Sequence, residues 1–164
     1  MKCPQCKITI QKVGVAIRAL VIRNGKILLG KRQNTGHQDG HWETPGGHFE
    51  YGEDFKIAAL RELNEETGLT AKEENANLIG ITNDHLPQDE KHYISIYVQC
   101  DLAEGNVQLM EPNKCTGWEW FSPDKLPTPL TQSMQNFIES RKDKPLAYKH
   151  VWREEHTDMC LFHL

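Results

Sequence analysis

Residues 47 to 69, GHFEYGEDFKIAALRELNEETGL, constrain what this chain can fold into more than any other stretch. Pro45-Gly46-Gly47 lead into a predicted helix from about Asp54, a side-chain cap, to Thr67, and Gly68 then stops it. At about 100° per residue, Glu62, Glu65 and Glu66 share one face within a single turn, roughly 5–6 Å between neighbouring Cβ atoms. Helix electrostatics oppose that placement. Carboxylates favour the N-terminus, yet two of these sit in the last turn, where the dipole is negative. Like charges at i,i+4 cost a further few tenths of a kcal/mol on an exposed surface. A divalent cation turns that repulsion into a binding site, because Mg²⁺ is held by a few carboxylates plus waters and substrate phosphates. On this wheel Ile57, Leu60 and Leu63 lie opposite the glutamates and are expected to pack on a sheet. Ala58 and Ala59 fall near the acidic side, where small side chains leave room for a ligand.

An isolated ExxEE is ordinarily a solvated acidic face. Here the surrounding residues add Gly47, five residues, Glu53, seven residues, Arg61-Glu62-Leu63, one residue, Glu65-Glu66, one residue, Gly68-Leu69. The segment resembles the signature of the Nudix family at every fixed position. That resemblance implies an α/β fold, an α/β/α sandwich with a mixed β-sheet, and hydrolysis at a nucleoside diphosphate linked to another group. It implies Mg²⁺, with Mn²⁺ as a substitute, on Glu62, Glu65 and Glu66, joined by the carbonyl of Gly46. Glu53 and Arg61 match the supporting pair in which arginine bridges and holds the glutamates. The general base is either the helix acid Glu62 or an acid from a later loop, for which Glu111 in QLMEPNKC is the candidate; the bland alternative for Glu111 is an ordinary exposed acid.

The bulk properties narrow the partners. At 164 residues, 38% of them hydrophobic, the chain is long enough for one domain with a proper core. A net charge of −4 gives no footprint for polymeric DNA or RNA, while metal ions still allow an anionic nucleotide to bind. No apolar stretch approaches a membrane span, and MKCPQCKITI lacks the apolar core of a signal peptide, so a cytoplasmic protein without a membrane partner is expected. Five cysteines suit a reducing compartment. Cys3 and Cys6 have the spacing of half a zinc site, which His156, Cys160 and His163 could complete; two free thiols in a leader is the favoured reading.

Along the chain, 1–10 read as a short leader, 11–142 as the Nudix-like domain and 143–164 as a tail packed on the same domain. VGVAIRALVIR (13–23) is a β-branched apolar run read as a buried strand. Asn24-Gly25 turns it into a second strand, 26–31. Residues 33–42 are a polar, glycine-rich loop, and 42–49 a short strand around the Pro-Gly-Gly turn. Strands are expected over 77–83, 92–101 and 117–121, and a second helix over 130–141. Lys31 and Arg32 end the second strand and are candidate phosphate contacts, with ordinary exposed strand-end charges as the alternative; Gly47 and His48 follow at the turn as substrate candidates, His48 either contacting phosphate or capping the turn. Trp118 and Trp120 are expected on opposite sides of their strand, one of them, Trp118, a candidate for stacking on a base, with packing at a dimer interface or in the core as the alternatives.

The wider chain resembles the MutT-homologue branch of the family, that of the type-15 nucleoside triphosphate diphosphatase. GVAIRALVI, LLGKR, PGGHFEYGE, HYISIY and KCTGWEWF carry the likeness. Members of that branch are homodimers that convert nucleoside triphosphates, dNTPs or modified dNTPs, to the monophosphate plus pyrophosphate. Two other branches fit less well. The proline of ADP-ribose-type members falls here on Asp84, and the tyrosine of dinucleoside-polyphosphate types is absent, the nearest being Tyr93. ADP-ribose or nucleoside diphosphate-sugar hydrolysis is the rival within the enzyme class. A non-catalytic nucleotide-sensing module is the rival outside it.

Overall fold

The structure, a computed structural model, describes residues 12–143 and 146. The proposed leader, the zinc candidates Cys3 and Cys6 and most of the tail lie outside the described residues. In chain order the elements are β1 (Gly14–Arg23), β2 (Lys26–Arg32), β3 (Trp42–Glu43), α1 (Phe55–Thr67), β4 (Ala76–Leu86), β5 (Lys91–Cys100), β6 (Cys115–Phe121) and α2 (Gln132–Glu139).

β1 and β2 pair only beside their turn, Ile22 with Ile27 and Arg23 with Lys26, and then diverge. β1 runs parallel to β5 from Gly14–Tyr93 to Val21–Cys100, and β4 adds antiparallel to the far edge of β5. β2 instead pairs antiparallel with β6 and with the short β3. The chain after β3 fills the gap left beside β1. Ala19 N–H donates to the Pro45 carbonyl at 2.7 Å, Ile17 N–H to Gly47 at 2.9 Å, and Phe49 N–H to Val15 at 3.1 Å. A mixed sheet of six strands results, split along the β1–β2 seam.

Strand β1 is covered on both faces, which its near-continuous apolar run requires. Ile17, Ala19 and Val21 pack with Ala58, Ala59 and Leu63 of α1, whereas Leu20 packs with Tyr97 and with Met134 and Phe137 of α2. The Tyr97 and Phe137 rings stack at 4.0 Å. The molecule is therefore an α/β fold with one helix on each side of the sheet.

Helix α1 is capped at both ends by its own sequence. Asp54 accepts from Lys56 N–H at 2.8 Å, and Gly68, at φ 71°, returns its N–H to the Asn64 carbonyl. Its buried face departs from expectation. Ile57 is 43% exposed, while Ala58, Ala59, Glu62, Leu63 and Thr67 are buried. Two adjacent alanines let the helix backbone approach the sheet closely, and the wider Ile57 then lies outside the contact. Glu62 is thus carried inward with the alanines rather than turned away from the sheet. The two tryptophans also correct the sequence reading. Trp118 and Trp120 both pack against the α1 core, because side chains two apart on a strand share a face.

Candidate active site

A cavity of about 580 Å³ opens where β1 and β2 separate. Ala16 and Arg18 from β1, Gly30 and Arg32 from β2, and Glu43, Thr44, Gly46, Gly47 and His48 between them form one side. Arg61, Glu62, Glu65 and Glu66 of α1 form another, and Glu111, Lys114, Cys115 and Trp118 close the cleft. Gly46 and Gly47 can sit here only because they lack side chains. A Cβ on Gly47 would lie 2.5 Å from the Glu62 carboxylate, and one on Gly46 2.1 Å from the Ile17 carbonyl oxygen.

Each helix glutamate has one oxygen fixed by an N–H donor. Arg61 Nη1 donates to Glu62 Oε1 at 2.8 Å and to Glu65 Oε2 at 3.2 Å, and Gly46 N–H donates to Glu66 Oε2 at 3.0 Å. The second oxygen of each carboxylate accepts no hydrogen bond among the described residues. Arg61 is itself aimed from below by Glu53, which accepts from Nε at 2.7 Å and from Nη2 at 2.9 Å. Those bonds hold the Glu53 carboxyl below its usual range and raise the already basic guanidinium. Glu66 behaves in the opposite way. Burial pushes its carboxyl up to about 8 against the Gly46 hydrogen bond, with the charge of Glu62 adding to the effect. Trp118 Nε1 donates to the Glu66 carbonyl at 3.2 Å and ties the helix end to β6.

The carboxylates fit a hard divalent cation, with one qualification from geometry. No three acidic, histidine or cysteine groups among the described residues converge tightly enough to enclose an ion unaided. Arg61 occupies the space between Glu62 and Glu65. Mg²⁺ needs no such cage, since it keeps waters and takes substrate phosphate oxygens to complete its shell. A burial-stressed Glu66 and three open carboxylate oxygens are the donor set such an ion takes.

The remaining sequence candidates divide. Glu111, Arg32, His48 and Trp118 line the cleft. Glu111 is paired with Lys114 at 2.8 Å. Lys31 is not among the lining residues; its ammonium lies 5.9 Å from the Trp42 ring centroid. Sequence reading passed over Arg18, Glu43, Thr35, His37, Tyr93 and Lys114, which also line the cleft. One signal for Arg18 was present: a charge inside VAIRALVI, a run otherwise fit for burial on both faces.

The model of the NUDIX domain matches residues 12–140 of the chain. Among curated relatives, the ADP-ribose pyrophosphatase of Methanocaldococcus jannaschii is 34% identical over 113 residues, 69% of this chain and 64% of that protein. The CTP pyrophosphohydrolase of Escherichia coli is 30% identical over 117 residues, 58% of this chain and 87% of that protein. The chain spans 36% of the length of another relative, an m7GpppN-mRNA hydrolase of Xenopus laevis, so the share of a relative that it covers runs from about a third to nearly nine tenths. Among solved structures, a MutT NUDIX hydrolase from Burkholderia pseudomallei superposes with a TM-score of 0.70 at 28% identity, covering 76% of this chain and 94% of that one.

Proposed function

The chain belongs to the Nudix family, and from that premise we propose that it is a magnesium-dependent pyrophosphohydrolase of nucleoside triphosphates. The reaction adds one water across the α–β bridge: a new P–O bond forms to the water oxygen, the bridging P–O bond breaks, and monophosphate and pyrophosphate separate. The water's proton passes to a base. One observation carries the reading. Glu62, Glu65 and Glu66 each keep one oxygen pinned by an N–H donor and one without a partner among the described residues, on the wall of a cleft large enough for a nucleotide.

Mg²⁺ on those carboxylates and the Gly46 carbonyl, or Mn²⁺ in its place, would neutralise phosphate oxygens and lower the pKa of a bound water. The chain's own residues do the rest. Arg61 holds two of the carboxylates at fixed angles, with Glu53 holding Arg61. Glu111 is the proton acceptor in this reading, with Glu62 as the other acid that could serve. Arg32, Lys114 and His48 offer donors to the phosphate chain, and Trp118 offers a ring face.

The likeness to MutT-type strings and to a CTP pyrophosphohydrolase supports a triphosphate substrate. A second reading, hydrolysis of ADP-ribose, is favoured by the relative of that name. Product analysis separates them. Incubation of the full chain with dNTPs, oxidised dNTPs, ADP-ribose and nucleotide sugars in Mg²⁺ is expected to give monophosphate and pyrophosphate from a triphosphate. AMP plus ribose 5-phosphate, with triphosphates left intact, would replace this reading with the second, and no turnover of any nucleotide would make the domain a binder.

A further inference from the structure

Arg18 stands in the cleft with its charge balanced by nearby acids and its hydrogen bonds unmade. It sits beside the Pro-Gly-Gly turn, where a Cβ on Gly46 would lie 3.1 Å from its Cα. Its side chain is only 12% exposed, and it lines the cleft. Glu43 Oε2 lies 3.6 Å from Nε, near enough for charge attraction and too far for a hydrogen bond. Nε is buried without a partner, and the guanidinium makes no hydrogen bond among the described residues.

Glu43 does not depend on Arg18 for its own hydrogen bonds. Oε1 accepts from Thr44 N–H at 2.9 Å and from the Thr44 hydroxyl at 3.2 Å, and Oε2 accepts from the hydroxyls of Thr131 and Ser133. The carboxylate is thus a fixed, fully solvated-by-protein anion that holds Arg18 by charge and leaves its donors free for something else. Arg32 repeats the pattern on the neighbouring strand. Its Nη2 donates to Thr35 at 3.0 Å, while its Nε is buried without a partner. Burial, and then the charge of Arg18, lower its basicity, which places the two guanidinium groups within each other's field. Both line the same cleft as Glu62, Glu65 and Glu66, and both feel the charge of Glu66.

Glu43, Glu66 and Asp84 balance the charge of Arg18, yet two recessed guanidinium groups with unmade hydrogen bonds suit an anion whose several oxygens can accept from both. The carboxylate wall serves the bridge to be cleaved. A triphosphate carries one more phosphoryl group than a diphosphate-linked substrate, and that group needs its own counter-charge. Arginine forks match phosphate oxygens in geometry as well as sign. We propose that Arg18 and Arg32 form a subsite for the terminal phosphoryl group of a nucleoside triphosphate, and that Glu43 is the positioning residue that aims Arg18. The subsite rests on the pyrophosphohydrolase reading and makes it specific: this cleft selects the third phosphate.

The test compares a nucleoside triphosphate with the matching diphosphate in Mg²⁺, in the full chain and in Arg18→Gln, Arg18→Lys and Arg32→Gln. The readouts are kcat/KM and, independently of turnover, calorimetric binding of the two α,β-methylene analogues. The ratio of triphosphate to diphosphate is expected to fall about 100-fold in Arg18→Gln and about tenfold in Arg32→Gln, with lysine at 18 restoring part of it. Arg32→Gln, which breaks none of the hydrogen bonds to Glu43, keeps the test open if Arg18→Gln fails to fold. An unchanged ratio in the variants, or no wild-type preference for the triphosphate analogue, overturns the subsite. The two readings fail separately. A chain that hydrolyses nothing yet binds the triphosphate analogue through Arg18 loses the enzyme and keeps the subsite; a chain that hydrolyses triphosphates with an insensitive ratio does the reverse.

Discussion

The acidic wall of the cleft comes from one helix, with Glu62, Glu65 and Glu66 inside a single turn, whereas the basic wall is assembled from distant segments. Arg18 comes from β1, Arg32 from β2 and Glu43 from β3, and the hydroxyl of Ser133 reaches Glu43 across 90 residues of chain. Helical spacing alone gathers the first set, so its chemistry is local. The second set exists only once β1 and β2 have diverged and α2 has docked its N-terminal turn behind β3. The walls also differ in how they handle burial. Each carboxylate is half satisfied by a donor and half open. Arg18 is held by a carboxylate that has its own partners, leaving nearly all of its donors unused.

The largest expected effect breaks the acidic wall. Glu66→Gln keeps the side chain's shape and its acceptor for Gly46 N–H, and removes the charge. Turnover of the preferred nucleotide is expected to fall about a thousandfold in steady-state assays. Full activity in that variant would mean the reactive centre lies elsewhere.

The same residue gives a pH signature that separates the walls. A glutamate in the unfolded chain titrates near about 4.3, and Glu66 in the folded chain is pushed up to about 8. The folded state therefore holds a proton that the unfolded state lacks between those values. Its contribution to stability is full below the ordinary carboxylate range and is lost as pH rises through about 8. Melting temperatures in EDTA are expected to decline across that window. Mg²⁺, which prefers the ionised carboxylate, should raise Tm by an increment that grows with pH up to about 8 and is absent in Glu66→Gln. A Mg²⁺ increment independent of pH would remove Glu66 from the metal-binding set.

The smallest effect sharpens the basic wall. Lys31 neighbours Arg32 in sequence but lies against Trp42 instead of in the cleft. Lys31→Gln should change kcat/KM by no more than about threefold, the range of an exposed charge. A loss comparable to that in Arg32→Gln would show that the β2 terminus works as a pair.

Much of the fold was legible because its signals are local. Asn24-Gly25 marks the hairpin, Asp54 and Gly68 bracket α1, and β-branched runs mark β1 and β5. Boundaries moved where tertiary pairing lengthened an element: β4 extends to Leu86 because every residue from Thr82 onward finds a partner on β5. The inward face of α1 was legible in part: Leu60 and Leu63 pack on the core as expected, and Ile57 does not. An apolar wheel places Ile57 in the core, but close packing of a helix on a sheet favours Ala58 and Ala59, and Glu62 turns inward with them while Glu65 stays exposed. Arg18 was passed over for a related reason. One charge in an apolar strand has no spacing rule, and its meaning depends on which buried carboxylate the fold brings beside it.

By itself the amino-acid sequence determined the family, the helix that carries the carboxylates and the chemistry they suit, since all three follow from residue types at fixed short spacing. Only the tertiary structure decided how deep those carboxylates sit, which tryptophan faces agree, and that two arginines stand opposite them. Burial and charge neighbourhoods depend on contacts between segments far apart in the chain, and one-dimensional spacing does not encode them.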